Sequence, residues 1–94
     1  MSLRRCSYML RSAKGKTVGV ELILKNDKIL DILLHGDFFA YPPEIIDEVQ
    51  NSLKNVDLAC VEDVVRKVCS KGKLVGINVR DIIDVIFKAV KECK

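Results

Sequence analysis

Several common functional signals are missing from this chain. It has one histidine, four cysteines without a C-x-x-C pair, and no apolar run near the ~18 residues of a membrane-spanning helix. These residues provide no zinc-ligand spacing. We therefore expect the cysteines to be small buried hydrophobic residues in a reducing compartment. The N-terminus is too polar for a signal-peptide core, which predicts a cytoplasmic protein without a membrane partner. The cysteines are Cys6, Cys60, Cys69 and Cys93.

Motifs for catalysis and phosphate binding are also missing. Gly15-Lys16 lacks the upstream glycine of a P-loop and no helix follows it, so a hairpin turn is the favoured interpretation. No serine or cysteine is placed to form a nucleophile–base motif with His35. Asp37 has no partner carboxylate that the sequence fixes. The residues alone predict a domain with no catalytic, cofactor-binding or metal-ligating residue of its own.

The net charge of +3 is mild, but basic residues concentrate in two places. A solvated face is the favoured interpretation of both clusters, and contact with a phosphate or an acidic partner stays open. Apart from Tyr8, neither cluster contains the interleaved aromatic residues that single-stranded nucleic-acid platforms use for base stacking, so nucleic-acid binding is disfavoured. The clusters are Arg4, Arg5, Arg11, Lys14 and Lys16, and Arg66, Lys67, Lys71 and Lys73.

Length and patterning predict one domain over residues 1–94. Alternating apolar residues indicate strands over 5–11, 17–25 and 28–34. In the third strand we expect one set of side chains on the core face and another on the opposite face, which is partly apolar and is a candidate surface for docking of another subunit. The expected core set is Leu30, Ile32 and Leu34, and the expected opposite set is Ile29, Asp31, Leu33 and His35.

Helical patterning dominates the second half of the chain. Apolar spacing predicts helices over residues 43–54, 61–70 and 79–92, with a short extended piece over 74–77 that is either an added strand or a linker. Residues 55–57 are expected to end the first helix. The predicted fold class is α+β: a small antiparallel sheet of three or four strands, covered on one face by about three helices.

Residues 35–44 join the two halves and contain three of the five aromatic residues. Pro42 and Pro43 suit the first turn of a helix, where backbone N–H groups are not needed. The run Gly36-Asp37-Phe38-Phe39 with the prolines and the following helix resembles the C-terminal accessory domain of lipoate–protein ligases. The matching residues elsewhere are Gly15-Lys16, Val18, Val20, Leu22, Ile29, Asp31, Gly76-Ile77 and Asp81-Ile82-Ile83.

This resemblance implies a function that composition does not show. The family activates lipoate with ATP and Mg²⁺ to lipoyl-AMP and then transfers the lipoyl group to a lysine of a carrier domain. Its catalytic groups lie in a larger domain, which in some prokaryotes is a separate polypeptide. The resemblance therefore implies a non-catalytic accessory subunit that binds no cofactor itself and forms a heterodimer with a catalytic subunit.

The same motif supplies the residues expected at the interface with that subunit. We hypothesise that one of Phe38 and Phe39 packs in the core and that the other contacts the partner subunit. The alternative function is a free-standing interaction module or weak nucleic-acid binder. Motif residues expected at the interface are Gly36, Asp37, Phe38, Phe39, Tyr41 and Pro42, with Lys14 and Lys16 as docking charges.

Overall fold

The computed structural model describes residues 3–93, which form a four-stranded antiparallel sheet, a separate two-stranded ribbon and three α-helices. The main sheet has the order β1-β2-β3-β5 and the ribbon pairs β4 with β6. The predicted α+β fold class is confirmed. The elements are β1 (Leu3–Arg11), β2 (Thr17–Lys25), β3 (Lys28–Gly36), β4 (Phe39–Tyr41), α1 (Glu44–Leu53), β5 (Val56–Asp57), α2 (Val61–Cys69), β6 (Lys73–Val75) and α3 (Val79–Lys91).

The core lies between one face of the main sheet and the helices. Alternate residues of β2 are buried because a strand points successive side chains to opposite faces. The buried residues of α3 recur every three or four positions, which places them on the helix face that packs against β1 and β2. Full burial of each such aliphatic side chain contributes about 1.5–3 kcal/mol. They are Val18, Val20, Leu22 and Leu24 in β2, and Ile82, Ile83, Val85, Ile86 and Ala89 in α3.

A β-bulge in β3 reverses part of the predicted strand orientation. Leu24 pairs with Ile29 while the preceding Ile23 pairs with Asp31, so Leu30 has no partner on β2. The extra residue shifts the alternation by one position. Ile29 is therefore fully buried and Leu30 is 39% exposed, which is the opposite of what strict alternation predicts. The prediction is right for Ile32 and Leu34, which lie beyond the bulge.

Two short strands were not predicted. The chain turns at Asn55, where φ is +65°, and its backbone N–H donates to the Ile29 carbonyl at 2.6 Å. Val56–Asp57 then pairs with the start of β3 as β5. The other unpredicted strand is β4, at Phe39–Tyr41, which pairs with β6. This pairing shows that the extended piece predicted over 74–77 contains an added strand, at Lys73–Val75. Strands of two or three residues are too short to show an alternating pattern.

The cysteine prediction is right about burial at Cys6 and Cys69, but it is wrong for the exposed Cys60 and for the two cysteines that are bonded to each other. Cys6 on β1 and Cys93 after α3 form a disulfide, although 87 positions separate them in the sequence. Cys60 is exposed. Cys69 is buried as expected, and this burial raises the pKa of its thiol. Spacing alone did not reveal the pair because only the packing of α3 on β1 brings these two residues together.

None of the helices described in residues 3–93 has the length and apolar character that crossing a membrane requires.

Candidate functional site

The chain leaves β3 through a turn that is tied back to the start of β2. Gly36 has φ +147°, a conformation that side chains with a Cβ rarely adopt. The next residue forms two hydrogen bonds with Thr17: the Thr17 N–H donates to Asp37 Oδ1 at 2.6 Å, and the Asp37 N–H donates to the Thr17 carbonyl at 3.3 Å. These contacts give Gly36 and Asp37 a structural role, because they fix the point from which β4 begins.

The two adjacent phenylalanines have different environments. Phe38 is half-buried and packs against the core. In β4, Ala40 points inward and is 7% exposed, whereas Phe39 and Tyr41 point outward and are each 59% exposed. The strand alternation explains this difference, because residues i and i+2 share a face. Phe38 is thus the core residue of the pair and Phe39 the solvent-facing one.

β6 extends this outward face across the ribbon. Phe39 is paired with Val75 and Tyr41 with Lys73, while Leu74 is opposite the buried Ala40. Val75 is 42% exposed and Lys73 is also exposed. The ribbon therefore presents two aromatic rings, one valine and one lysine on a single face.

The chain enters α1 directly after the ribbon. The Tyr41–Pro42 peptide bond is cis. The Pro42 carbonyl accepts a hydrogen bond from the Ile45 N–H at 3.1 Å, and Ile45 is a core residue. Pro42 is thus placed at the corner between the ribbon and the helix.

The β1–β2 turn is fixed against the N-terminus of α3. Ser12 is a buried polar residue, and its Oγ–H donates to Asp81 Oδ2 at 2.6 Å. Asp81 Oδ2 also accepts the Asn78 N–H at 2.7 Å. The Lys14 N–H donates to Ser12 Oγ at 3.1 Å. The Lys16 N–H donates to the Gly76 carbonyl at 3.2 Å. Asp81 therefore acts both as a helix-capping residue and as an anchor for the turn.

The turn brings two lysines to the ribbon. The Lys16 side chain lies over Gly76, where any Cβ would overlap it, and Gly76 directly follows β6. Lys14 and Lys73 line one shallow depression. All three lysines are exposed, and none takes part in an ion pair among residues 3–93. The fold thus places Lys73 beside Tyr41 on the ribbon, Lys16 at the end of β6, and Lys14 at a depression that Lys73 also lines.

The open face of the main sheet is a second exposed surface. Met9, Leu33 and His35 lie on this face, and Leu33 is 51% exposed. The His35 ring covers Gly19 and its Nε2 is 3.9 Å from Glu21 Oε2. No group of three or more His, Cys, Asp or Glu residues able to hold a metal ion exists in the described part of the chain.

Comparisons with known proteins bear on what these surfaces serve. No protein-family model matches the chain. A curated relative, lipoate-protein ligase A subunit 2 of Thermoplasma acidophilum, is 28% identical over 75 residues, which are 79% of this chain and 80% of the relative. The resemblance to the accessory part of a lipoate–protein ligase is confirmed.

A solved structure supports the fold independently of the motif. It is a chain from the structure of a bipartite lipoate protein ligase and its E2 lipoyl domain, from the archaeal lipoylation system of T. acidophilum. The TM-score is 0.76 at 24% identity, and the match covers 89% of this chain and 93% of that chain. The two chains therefore share a fold over almost their entire length.

The structure places the predicted site residues of this chain at the ribbon, at its edge, or in the connection that leads to it. Phe39 and Tyr41 lie together on the ribbon, with Lys14 and Lys16 at its edge. The remaining motif residues build the connection: Gly36 and Asp37 form the turn, Phe38 packs on the core and Pro42 lies at the corner. Sequence reasoning missed Lys73 and Val75 at this surface. The signal available was the extended piece predicted over 74–77, which is too short to assign a partner strand.

Proposed function

We propose that this chain is the non-catalytic accessory subunit of a two-part lipoate–protein ligase. In this proposal a separate catalytic subunit carries out the ATP-dependent activation of lipoate to lipoyl-AMP before transfer to a carrier-domain lysine. The observation that carries the proposal is the match to a ligase subunit 2 over 79% of this chain and 80% of that subunit. A match to most of both sequences favours an equivalent unit over a shared fragment.

Asp37 and His35, the two residues considered for catalysis from the sequence, both have structural contacts in this chain. Asp37 Oδ1 accepts the Thr17 N–H, and His35 lies against Gly19 beside Glu21. The proposal assigns ATP, Mg²⁺ and lipoate to the catalytic subunit, as the family resemblance implies.

The physical contribution of an accessory subunit would be conformational. Docking beside an active site can exclude water and hold loops in the arrangement that adenylation needs. In this role the chain is one domain in a cytoplasmic heterodimer, and lipoyl carrier domains are indirect partners reached through the catalytic subunit.

The test separates adenylation from transfer. A candidate catalytic subunit is incubated with lipoate, Mg²⁺ and ATP, with and without this chain, and lipoyl-AMP is quantified. A second assay starts from preformed lipoyl-AMP and follows lipoylation of a carrier domain. We expect the chain to accelerate adenylation strongly and transfer much less. A small unrelated basic protein is the control, and equal adenylation with and without the chain would contradict the proposal.

One observation favours a second candidate, a weak single-stranded nucleic-acid binder. In the sequence, Tyr8 is the one aromatic residue within the basic clusters, yet the fold brings Phe39 and Tyr41 onto the ribbon that carries Lys73 and that the Lys16 turn contacts. Exposed aromatic rings beside lysines are the elements of a base-stacking surface. Fluorescence anisotropy with a labelled single-stranded RNA measures this activity directly. Under the leading proposal we expect no binding at physiological salt, whereas binding would support the second candidate.

A further inference from the structure

The outward face of the β4–β6 ribbon, together with the turn beside it, is the most unusual surface of the described chain. We call it the ribbon surface and define it by Phe39, Tyr41, Val75, Lys73, Lys14 and Lys16. Its two aromatic side chains are each 59% exposed, whereas the inward side of the same strand carries only the small Ala40. The aromatic residues therefore contribute little to this domain's own core, and their outward position is fixed by strand pairing.

The ribbon surface is ordered before any partner arrives. The Lys16 N–H is bonded to the Gly76 carbonyl and the Lys14 N–H to Ser12 Oγ, which is itself bonded to Asp81. At the other side, the Thr17–Asp37 hydrogen bonds fix the start of β4. A surface held in this way loses little conformational entropy on association, which favours binding.

The charge of the ribbon surface indicates the chemistry of its partner. Lys14, Lys16 and Lys73 are exposed and form no ion pair with residues 3–93. Aromatic residues commonly supply the buried centre of a protein interface, and charged residues at its edge accelerate association with a surface of opposite sign. The complementary surface is an apolar recess bordered by carboxylates.

We propose that the ribbon surface is the docking site for the catalytic subunit of the two-part ligase. Phe39 and Tyr41 insert into an apolar recess of that subunit, and Lys14, Lys16 and Lys73 face carboxylates around it. This inference rests on the proposed function and adds which face of the chain forms the heterodimer.

The open face of the main sheet supplies the contrast. Its exposed Met9 and Leu33 are apolar but not aromatic, and its charged residues include both signs. His35 Nε2 is 3.9 Å from Glu21, and Asp31 is 4.0 Å from Lys54 Nζ, whereas the exposed Arg5 forms no ion pair with residues 3–93. The pair of exposed aromatic rings, rather than unpaired positive charge alone, therefore distinguishes the ribbon surface from this face.

The first experiment compares two double variants with the same type of substitution. Phe39→Thr/Tyr41→Thr removes the aromatic rings, and Met9→Thr/Leu33→Thr removes apolar side chains from the open sheet face. All four residues are exposed β-strand residues, and threonine is well tolerated in strands. The dissociation constant for the catalytic subunit is measured by calorimetry, and thermal unfolding verifies that each variant is folded.

We expect the ribbon variant to weaken binding by about 30-fold or more, since loss of a buried aromatic hot spot typically amounts to about 2 kcal/mol. The sheet-face variant should bind within about threefold of the wild type. Equal binding by the folded ribbon variant would overturn the docking site while leaving the proposed function intact. No binding by the wild-type chain would overturn both.

The second experiment tests the charges. Lys14→Gln/Lys16→Gln keeps the Cβ and Cγ atoms of each side chain, which at residue 16 are the atoms that lie closest to Gly76. The control, Lys25→Gln/Lys28→Gln, removes two exposed lysines from the β2–β3 turn. We expect the first variant to associate about 3–10-fold more slowly at low salt and to lose most of its salt dependence, with the control unchanged. Equal effects of both variants would show a general charge effect and overturn the assignment.

A third outcome concerns the aromatic variant of the first experiment. If Phe39→Thr/Tyr41→Thr abolishes binding of labelled single-stranded RNA but still binds the catalytic subunit, the ribbon is a nucleic-acid surface and the proposal is wrong.

Discussion

Gly36 shows how one residue determines the position of the ribbon. Its φ of +147° is strained for any residue with a Cβ, and a Cβ there would also overlap the backbone carbonyl of Thr17. The same carbonyl accepts the Asp37 N–H, so it cannot move away without breaking that hydrogen bond. Gly36 is therefore required for two separate physical reasons.

This leads to a prediction for Gly36→Ala, with Gly15→Ala as its control. Gly15 also has a positive φ, +105°, but a Cβ there would have no neighbour within 4 Å. Backbone strain should destabilise either variant by about 1–3 kcal/mol. We expect Gly36→Ala to lower the free energy of unfolding by at least ~1 kcal/mol more, because overlap adds to strain. Urea denaturation measures both, and equal losses would contradict the overlap argument.

At the scale of elements, strand β3 tests how the bulge places its side chains. Ile29 is fully buried and Leu30 is partly exposed, so their truncations should differ although they are neighbours. We expect Ile29→Ala to lower the free energy of unfolding by about 2–5 kcal/mol. Leu30→Ala should lower it by less than ~1 kcal/mol. A larger effect at Leu30, measured by urea denaturation, would show that the strand follows the regular alternation without the bulge.

The contact between the β1–β2 turn and α3 is the second prediction at this scale. The Ser12 hydroxyl and the Asp81 carboxylate are 2.6 Å apart and the serine is buried. Ser12→Ala leaves Lys14 N–H and Asp81 without this partner, and we expect a loss of about 1–3 kcal/mol. Asp84→Ala on the same helix removes only an ion pair with Arg80 on the helix surface. It should change stability by less than ~0.5 kcal/mol. Similar losses in both variants, measured by urea denaturation, would argue against a special role for Ser12.

The elements that the sequence predicted well are those with a long periodic pattern. β2 was predicted over residues 17–25, which are its observed bounds, because its apolar residues alternate along the whole strand. The last helix was predicted over 79–92 and ends at Lys91. In contrast, the bulge at Leu30 and the pairing of β4 with β6 depend on contacts with distant residues. The candidate site was only partly predictable for this reason: its motif was visible, but Lys73 and Val75 join it through pairing alone.

At the scale of the whole molecule, the disulfide connects the two ends of the described chain. Cys6 lies on the first strand and Cys93 follows the last helix, so the bond closes a loop of nearly the entire chain. A crosslink stabilises mainly by reducing the entropy of the unfolded chain, and this effect grows with loop length. Most cytoplasmic proteins keep their thiols reduced. The disulfide and the proposed cytoplasmic location therefore make opposite demands on the redox state of Cys6 and Cys93.

We predict that the oxidised protein has a free energy of unfolding about 4.6 kcal/mol higher than the reduced protein, the value expected for a loop of this length. Urea denaturation with and without reductant measures the difference. Cys93→Ala is the control, because its stability should not respond to reductant.

Alkylation under native, non-reducing conditions should modify the exposed Cys60 rapidly and Cys69 slowly, since burial protects Cys69 and raises the pKa of its thiol. Rapid alkylation of Cys6 and Cys93 under those conditions would show that the bond is absent. Alkylation in freshly lysed cells then determines whether Cys6 and Cys93 are oxidised or reduced inside the cell.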